Sequence, residues 1–111
     1  MNVIIDNKQV PLEIMSTPTS IRLGMMGRTS LDGGMLFLFP EVAERSFWMK
    51  DCLISLDIVF IIGDKVTKVH RDCPPCNTNK CESYDGIANK VLELPVGRYS
   101  IREGDSLVFN N

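Results

Sequence analysis

The residues best suited to chemistry lie in one short stretch, Phe47–Cys52, which reads FWMKDC. An aromatic face and a thioether from Trp48 and Met49 can hold an apolar or sugar-like group. The ammonium of Lys50 can hold an anion, and Asp51 adds a carboxylate beside it. These residue types predict one wall of a cleft that binds a small molecule, anionic or sugar-like in character.

Three charged residues elsewhere in the chain complete this candidate ligand site. Arg28 is a second cation for an anionic ligand, and Asp57 and Glu93 are the acids. The alternative interpretation is structural: Trp48 and Met49 pack in the core, and the two cations pair with the two acids at its edge. The sequence leaves both interpretations open.

A second candidate site is a set of soft or borderline metal ligands with close spacing: His70, Cys73, Cys76 and Cys81. Zinc binds such a set tetrahedrally and would order a loop that is too polar to pack, with Cys52 as a substitute for the histidine. Two alternatives stay open, a disulfide between the last two cysteines and a set of free thiols. A reducing cytoplasm opposes the disulfide.

A thiol-dependent enzyme, hydrolytic or redox, is the rival function. His70 could activate Cys52 as a nucleophile, although no third orienting group is apparent. Cys73 and Cys76 form a Cys-x-x-Cys pair, but no helix pattern follows it to stabilise a thiolate. A third hypothesis is an accessory protein that binds a protein partner through the surface around Trp48.

The composition is that of a single globular domain, residues 1–111. Hydrophobic residues make up 44% of the chain and charged residues 23%. Twelve basic residues against fourteen acidic ones give a net charge of −2. Since nucleic acid requires a basic surface, we expect no nucleic-acid partner.

No segment of the sequence is suited to crossing a membrane. The longest apolar runs, such as Met35–Phe39, have five residues, far short of the roughly 20 that a spanning helix needs. The N-terminus carries no visible signal peptide, which predicts a cytoplasmic protein. An exported protein whose leader has been removed would look the same.

Short apolar segments separated by turns predict about seven or eight strands and one short helix. Residues 2–15 are predicted to form an N-terminal hairpin of the same domain, and the helix begins at Thr17-Pro18 and stops at Gly27. A strand is predicted to stop at Pro40, and residues 71–89 are predicted to form a long cysteine-rich loop that gates the cleft. This spacing favours a mainly β fold, a sandwich or a jelly-roll-like small barrel.

Six fragments in order along the chain resemble the domain of unknown function 192 family: Gly24-Met25-Met26-x-Arg28, Gly34-Met35-Leu36-Phe37-x-Phe39, Phe47-Trp48-Met49-Lys50, Leu56-Asp57-Ile58-x-Phe60-Ile61, Val91-Leu92-Glu93-Leu94 and Gly104-Asp105. The resemblance covers residues 22–109. It implies a compact, mostly β fold of sandwich or jelly-roll type with one short helix, and it implies no reaction.

The sequence departs from this family at two points. The family usually follows Trp-Met-Lys with Asn-Thr, where this chain has Asp51-Cys52. Many relatives also carry a leader for export, which this sequence lacks. If Asn-Thr contributes to a shared site, that site is altered here.

Overall fold

Seven strands form one sheet in the order β5-β4-β6-β3-β2-β1-β7 in the computed structural model, which describes residues 1–111. The sheet curls into a half-barrel. The predicted mainly β class with one short helix is confirmed. The elements are β1 (Asn2–Ile5), β2 (Lys8–Met15), α1 (Pro18–Leu23), β3 (Gly34–Trp48), β4 (Leu56–Ile62), β5 (Lys65–Cys73), β6 (Ser83–Pro95) and β7 (Val108–Asn110).

Six strand contacts build the sheet, and β2 with β3 is its one parallel pair. Parallel neighbours need a crossover connection, and α1 lies within this one. The predicted hairpin at the N-terminus is present as β1 and β2. No helix in the chain has the length and apolar character needed to cross a bilayer.

The helix α1 begins as the sequence predicts and ends earlier. The Thr17 side chain caps its first turn by accepting from the Ser20 N–H at 3.1 Å, and Pro18 supplies a preset backbone angle. Gly24 then ends the helix at a φ of +44°, where a Cβ would lie 3.2 Å from the Phe37 ring. The prediction that the helix reaches Gly27 is therefore wrong, because the chain leaves the helix at this earlier glycine.

Alternating side chains of the central strands fill two apolar clusters, one on each face of the sheet. Met35 and Phe37 of β3 enter one cluster, and Leu36 between them enters the other. Strand β4 divides its residues in the same way and is buried along nearly its whole length. Burial on both faces explains why this strand is apolar without alternation.

Two predicted boundaries are wrong. Strand β3 does not stop at Pro40 but runs on to Trp48, because its pairing with β6 shifts register between Leu38 and Ala43. Proline is tolerated at such an irregularity, where no ladder hydrogen bond is required of it. Strands β5 and β6 also extend into the predicted loop of residues 71–89, which leaves only residues 74–82 between them.

Candidate functional site

A cleft of about 390 Å³ opens between the end of α1, the distal half of β3 and the segment that follows β3. Its apolar surface comes from Ile21–Met26 on one side and from Phe37, Phe39, Phe47 and Trp48 on the other. The register shift in β3, between Leu38 and Ala43, separates Phe37 from Phe47 and Trp48, and Phe39 lies within it. The cleft also contains six polar side chains: Arg22, Glu44, Arg45, Ser46, Lys50 and Glu93.

Glu93 is the one ionisable acid or base of this cleft that is a buried polar residue, with an exposed fraction of 4%. It lies on β6, opposite Met35 of β3 and Ile58 of β4. Its Oε1 is buried and has no hydrogen-bond partner. Burial raises the pKa of this carboxyl from 4.5 to about 8, so most of it is protonated at neutral pH.

The two partly buried cations of the cleft are bonded to other groups. Arg45 donates from Nε to the Ala88 carbonyl at 3.2 Å and from Nη2 to the Glu41 carbonyl at 2.5 Å. Its guanidinium also lies 4.0 Å from the centre of the Phe39 ring. Lys50 donates from Nζ to the Thr78 carbonyl at 2.8 Å. Neither cation is bonded to the buried carboxyl.

Trp48 and Met49 have opposite environments, as neighbouring residues leaving a strand often do. Trp48 is 54% exposed and lines the cleft, so the alternative in which it packs in the core does not describe it. Met49 is 1% exposed and belongs to the core. Its carbonyl accepts from the N–H groups of Cys52 at 3.1 Å and Cys76 at 3.2 Å. Met49 therefore holds the segment in place and does not line the cleft.

Asp51 and Cys52, the next two residues, differ in exposure. Asp51 is exposed with a φ of +59°, its N–H donates to the Cys76 carbonyl at 2.8 Å, and its carbonyl accepts from the Gly27 N–H at 3.0 Å. Cys52 is buried and lines the cleft. Burial, and secondly the nearby Glu93 and Asp51, raise the pKa of its thiol to about 11. The thiol is therefore protonated at neutral pH.

The structure does not bring Arg28 and Asp57 to the cleft. Arg28 forms a bidentate pair with Glu13, with N–O distances of 2.7 and 2.5 Å, at the surface. Asp57 is buried, and its two oxygens accept backbone N–H groups from Asp72 at 2.8 Å and from Gly97 at 3.1 Å. Both residues therefore have partners within the fold. The pairing of Arg28 or Lys50 with Asp57 or Glu93 that the structural interpretation predicts is not present.

The four predicted zinc ligands are not gathered around one point. Cys76 and Cys81 form a disulfide with a Cα–Cα distance of 5.8 Å, which is one of the alternatives that the sequence left open. His70 Nε2 is 2.8 Å from the Asp85 carbonyl, and the buried Cys73 thiol donates to the His70 carbonyl at 3.5 Å. No group of three or more His, Cys, Asp or Glu side chains is arranged to hold a metal ion.

A family model of DUF192, described as "Uncharacterized ACR", matches residues 1–109. The chain belongs to this family. A crystal structure from Sinorhizobium meliloti 1021, provisionally described as a transcription regulator, is 28% identical, has a TM-score of 0.83 and aligns over 96% of this chain and 89% of its own. A second crystal structure, of a protein of unknown function from Novosphingobium aromaticivorans DSM 12444, is 27% identical and has a TM-score of 0.82. It aligns over 97% of this chain and 84% of its own. Curated proteins give no match.

Asp51 and Cys52, the two residues that depart from the pattern the sequence resembles, have different surroundings. Asp51 has a left-handed backbone, which asparagine and aspartate adopt more readily than other residues with side chains. Cys52 places a thiol, which is a weak hydrogen-bond donor, in the cleft that contains Glu93.

Sequence reasoning missed the part of the cleft that β3 supplies. Phe39 and Arg45 line the cleft, and neither is among the candidates from the sequence. Phe39 could have been identified as a candidate from the sequence, because it belongs to one of the family-like fragments. Arg45 gave no signal of its own, since its position depends on the register shift within β3.

Proposed function

We propose that this chain is a small-ligand-binding β domain whose ligand occupies the cleft between α1, β3 and the segment Lys50–Cys52. The observation that carries the proposal concerns Glu93, a residue that lines the cleft. Its buried Oε1 has no hydrogen-bond partner. Buried polar side-chain atoms are hydrogen-bonded in the large majority of cases. An unsatisfied carboxyl within a cleft is therefore a group whose partner can come from a ligand.

The size and surface of the cleft support this function. Its volume of about 390 Å³ lies within the range of small-molecule sites, and such sites are mostly apolar with a few placed polar groups. Trp48 offers a half-exposed ring at the wall, and Arg22 is an exposed cation at the end of α1. A ligand with an apolar body and at least one polar group fits these surroundings.

A thiol-dependent enzyme has less support. Burial is the main cause that raises the pKa of Cys52 to about 11 and that of Cys73 to about 12. A thiolate is the reactive nucleophile, so these two thiols are poorly prepared for attack at neutral pH. The other two cysteines form the disulfide.

Two binding functions of other kinds also have less support than the small ligand. The provisional description of the Sinorhizobium meliloti protein concerns transcription, but the present chain has a net charge of −2, and we expect no affinity for duplex DNA. A protein partner would find Trp48 and Leu23 exposed near the cleft. Concentration-dependent self-association would favour that interpretation.

A titration with a panel of small molecules tests the proposal directly. Trp48 is the single tryptophan of the chain, so its fluorescence reports on the cleft without interference from other indoles. We expect ligands to change this emission and to shift the backbone NMR signals of residues 21–26 and 45–52. Trp48→Ala should weaken the NMR-detected binding about tenfold or more, as removal of an aromatic contact surface does.

Leu53→Ala is the matched control, because Leu53 is 55% exposed and does not line the cleft. This variant should bind as the parent does. Equal losses in the two variants, or ligand-induced shifts confined to residues outside the cleft, would refute the assignment of the site.

A further inference from the structure

We propose that the ligand of this cleft is a small amine that presents a protonated nitrogen to Glu93 and packs an apolar body against Trp48 and the neighbouring phenylalanines. The inference rests on the proposed ligand-binding function and adds the chemical class of the ligand. It is independent of Arg28 and of the disulfide. The inference is based on Glu93, a buried carboxyl that pairs with none of the cations in the same cleft.

A buried carboxylate in a protein normally has a cationic or N–H partner. Asp57 has two N–H partners, whereas the buried Oε1 of Glu93 has none. The nearby Arg45 and Lys50 donate to backbone carbonyls instead. The protein therefore leaves one acidic group in the cleft unpaired while two of the cleft's cations, Arg45 and Lys50, are bonded elsewhere.

The partner of ionised Glu93 must be a donor, because an ionised carboxylate only accepts hydrogen bonds. Protonated Glu93 also has an O–H to donate, so an acceptor-only ligand, such as a carboxylate, could bind that form alone and would lose affinity as the pH rises. A neutral hydroxyl would satisfy the ionised form without offsetting the charge. An ammonium group supplies the N–H and the positive charge together, which is the stronger of these pairings.

The aromatic residues around the cleft favour the same ligand. Phe47 meets Phe37 edge to face with centroids 4.9 Å apart, and it meets Phe39 at 6.4 Å. Aromatic faces attract cations, and in this wall the ring of Phe39 already holds the guanidinium of Arg45 at 4.0 Å. Trp48, which binds cations best among the aromatic residues, stands free at the entrance with 54% exposure.

The charged side chains that line the cleft include three cations, Arg22, Arg45 and Lys50, so an amine depends on its direct pairing with ionised Glu93. Arg45 lies 3.6 Å from the Glu41 carboxylate, which partly offsets its charge, and Glu44 adds an acid at the rim. The titratable groups that line the cleft or influence it electrostatically are Arg22, Glu44, Arg45, Lys50, Asp51, Cys52, Cys73 and Glu93. Burial raises the pKa of Glu93 to about 8.

This arrangement predicts the direction of the pH dependence. To pair with an ammonium, Glu93 must lose its proton, and with a pKa of about 8 it is mostly protonated at pH 6. Aliphatic amines keep their proton well above pH 8, as lysine does. The apparent affinity scales with the ionised fraction of Glu93, so it should rise about 50-fold from pH 6 to pH 8.

Three probes that share a benzyl body test the proposal: phenethylamine, phenethyl alcohol and phenylacetate. Each is titrated into the full chain at pH 6 and pH 8 while backbone NMR signals of the cleft are followed. We expect phenethylamine to bind at least about tenfold more tightly than the other two at pH 8. We also expect the amine, and neither other probe, to gain affinity with rising pH.

Glu93→Gln keeps the shape of the side chain, removes its charge and should abolish both the preference for the amine and its pH dependence. Glu103→Gln is the matched control, since it removes an exposed carboxylate that does not line the cleft, and it should leave both properties in place. The pH dependence of the parent protein provides a test that does not depend on either variant folding.

The outcomes separate this inference from the proposed function. Cleft binding of the alcohol or the acid as tightly as the amine at pH 8, or amine binding that is flat with pH, would overturn the amine and leave a ligand-binding cleft. Retained amine preference in Glu93→Gln would also overturn it. An absence of cleft shifts with all three probes would count against both proposals.

Discussion

Two buried carboxyls of this small sheet differ in almost everything except their burial. Asp57 and Glu93 are each 4% exposed. Asp57 accepts backbone N–H groups from Asp72 and Gly97, whereas Oε1 of Glu93 accepts nothing. Equal burial therefore does not imply equal roles. The partners of an acid, more than its exposure, distinguish a structural group from one that is available to a ligand.

The role of Asp57 follows from what its two partners are. Asp72 lies near the end of β5 with a φ of +57°, an uncommon conformation for a residue with a side chain, and Gly97 lies in the turn after β6. One carboxylate thus ties the ends of two strands to β4 and stabilises a strained backbone. Glu93 ties nothing together, and its burial only adds a desolvation cost to the folded state.

The largest effect is expected from the pH dependence of stability that Glu93 imposes. Its pKa is about 8 in the folded state against an ordinary value of 4.5. Between these values the folded state holds a proton that the unfolded state releases, so the free energy of unfolding falls as pH rises. The loss is up to about 1.4 kcal/mol per pH unit, or about 4 kcal/mol from pH 5 to pH 8.

Urea unfolding at these two pH values, on the parent and on Glu93→Gln, measures this contribution. The glutamine variant lacks the titrating proton and should show a much smaller loss of stability between pH 5 and pH 8. It should exceed the parent in stability at pH 8. Parallel pH profiles for the two proteins would mean that Glu93 ionises normally, and the contrast with Asp57 would disappear.

Removal of the Asp57 carboxylate should have the next largest effect, in the opposite direction. Asp57→Ala leaves the N–H groups of Asp72 and Gly97 without their acceptor, and we expect a loss of about 3 kcal/mol in the free energy of unfolding. Asp57→Asn retains one acceptor oxygen and should lose about half as much. A loss below about 1 kcal/mol in the alanine variant would show that Asp57 is not the structural acid of the pair.

The sequence predicts the fold better than it predicts this contrast. Alternating and continuous apolar segments identified the β class, and the Thr17-Pro18 pair marked the start of α1. The boundaries failed where tertiary structure decided them. The register shift that carries β3 past Pro40 depends on pairing with β6, a strand more than 40 residues away in the chain.

The candidate site was predicted in part, for a physical reason that concerns partners. Trp48, Lys50 and Glu93 line the cleft, whereas Arg28 and Asp57 bond to other groups. Residue type indicates what a side chain can bind, but it does not indicate which partner the fold will supply. Asp57 and Glu93 could not be separated from sequence alone, because their difference lies in backbone N–H groups contributed by Asp72 at the end of β5 and by Gly97 in the turn after β6.

A smaller effect should follow from giving Glu93 a better donor. Cys52 lines the cleft, and its thiol pKa is raised in part by Glu93. Cys52→Ser replaces the thiol by a hydroxyl, which donates more strongly and favours the ionised carboxylate. We expect the pKa of Glu93 to fall by an amount worth about 1 kcal/mol, measured from the NMR titration of its carboxyl carbon.

Cys73→Ser is the matched comparison, since Cys73 is also a buried free thiol but donates to the His70 carbonyl and does not line the cleft. It should shift the Glu93 titration less than Cys52→Ser does, because its hydroxyl keeps the His70 carbonyl as its acceptor. If the two serine variants shift this titration equally, the effect comes from general loosening of the core. A selective shift in Cys52→Ser would move Glu93 toward the satisfied state of Asp57.

The smallest effect is expected at the exposed pair of Arg28 and Glu13, which has excellent geometry but 41% and 44% side-chain exposure. Exposed ion pairs contribute little, so Arg28→Ala should lower the free energy of unfolding by only about 0.5 kcal/mol, and less at high salt. Its binding of phenethylamine should equal that of the parent, because Arg28 does not line the cleft. A loss above about 2 kcal/mol, or weaker amine binding, would mean that the exposed carboxylate of Glu13, through its pair with Arg28, matters as much as the two buried acids. Good geometry alone would then outweigh burial in deciding which acids of this fold matter.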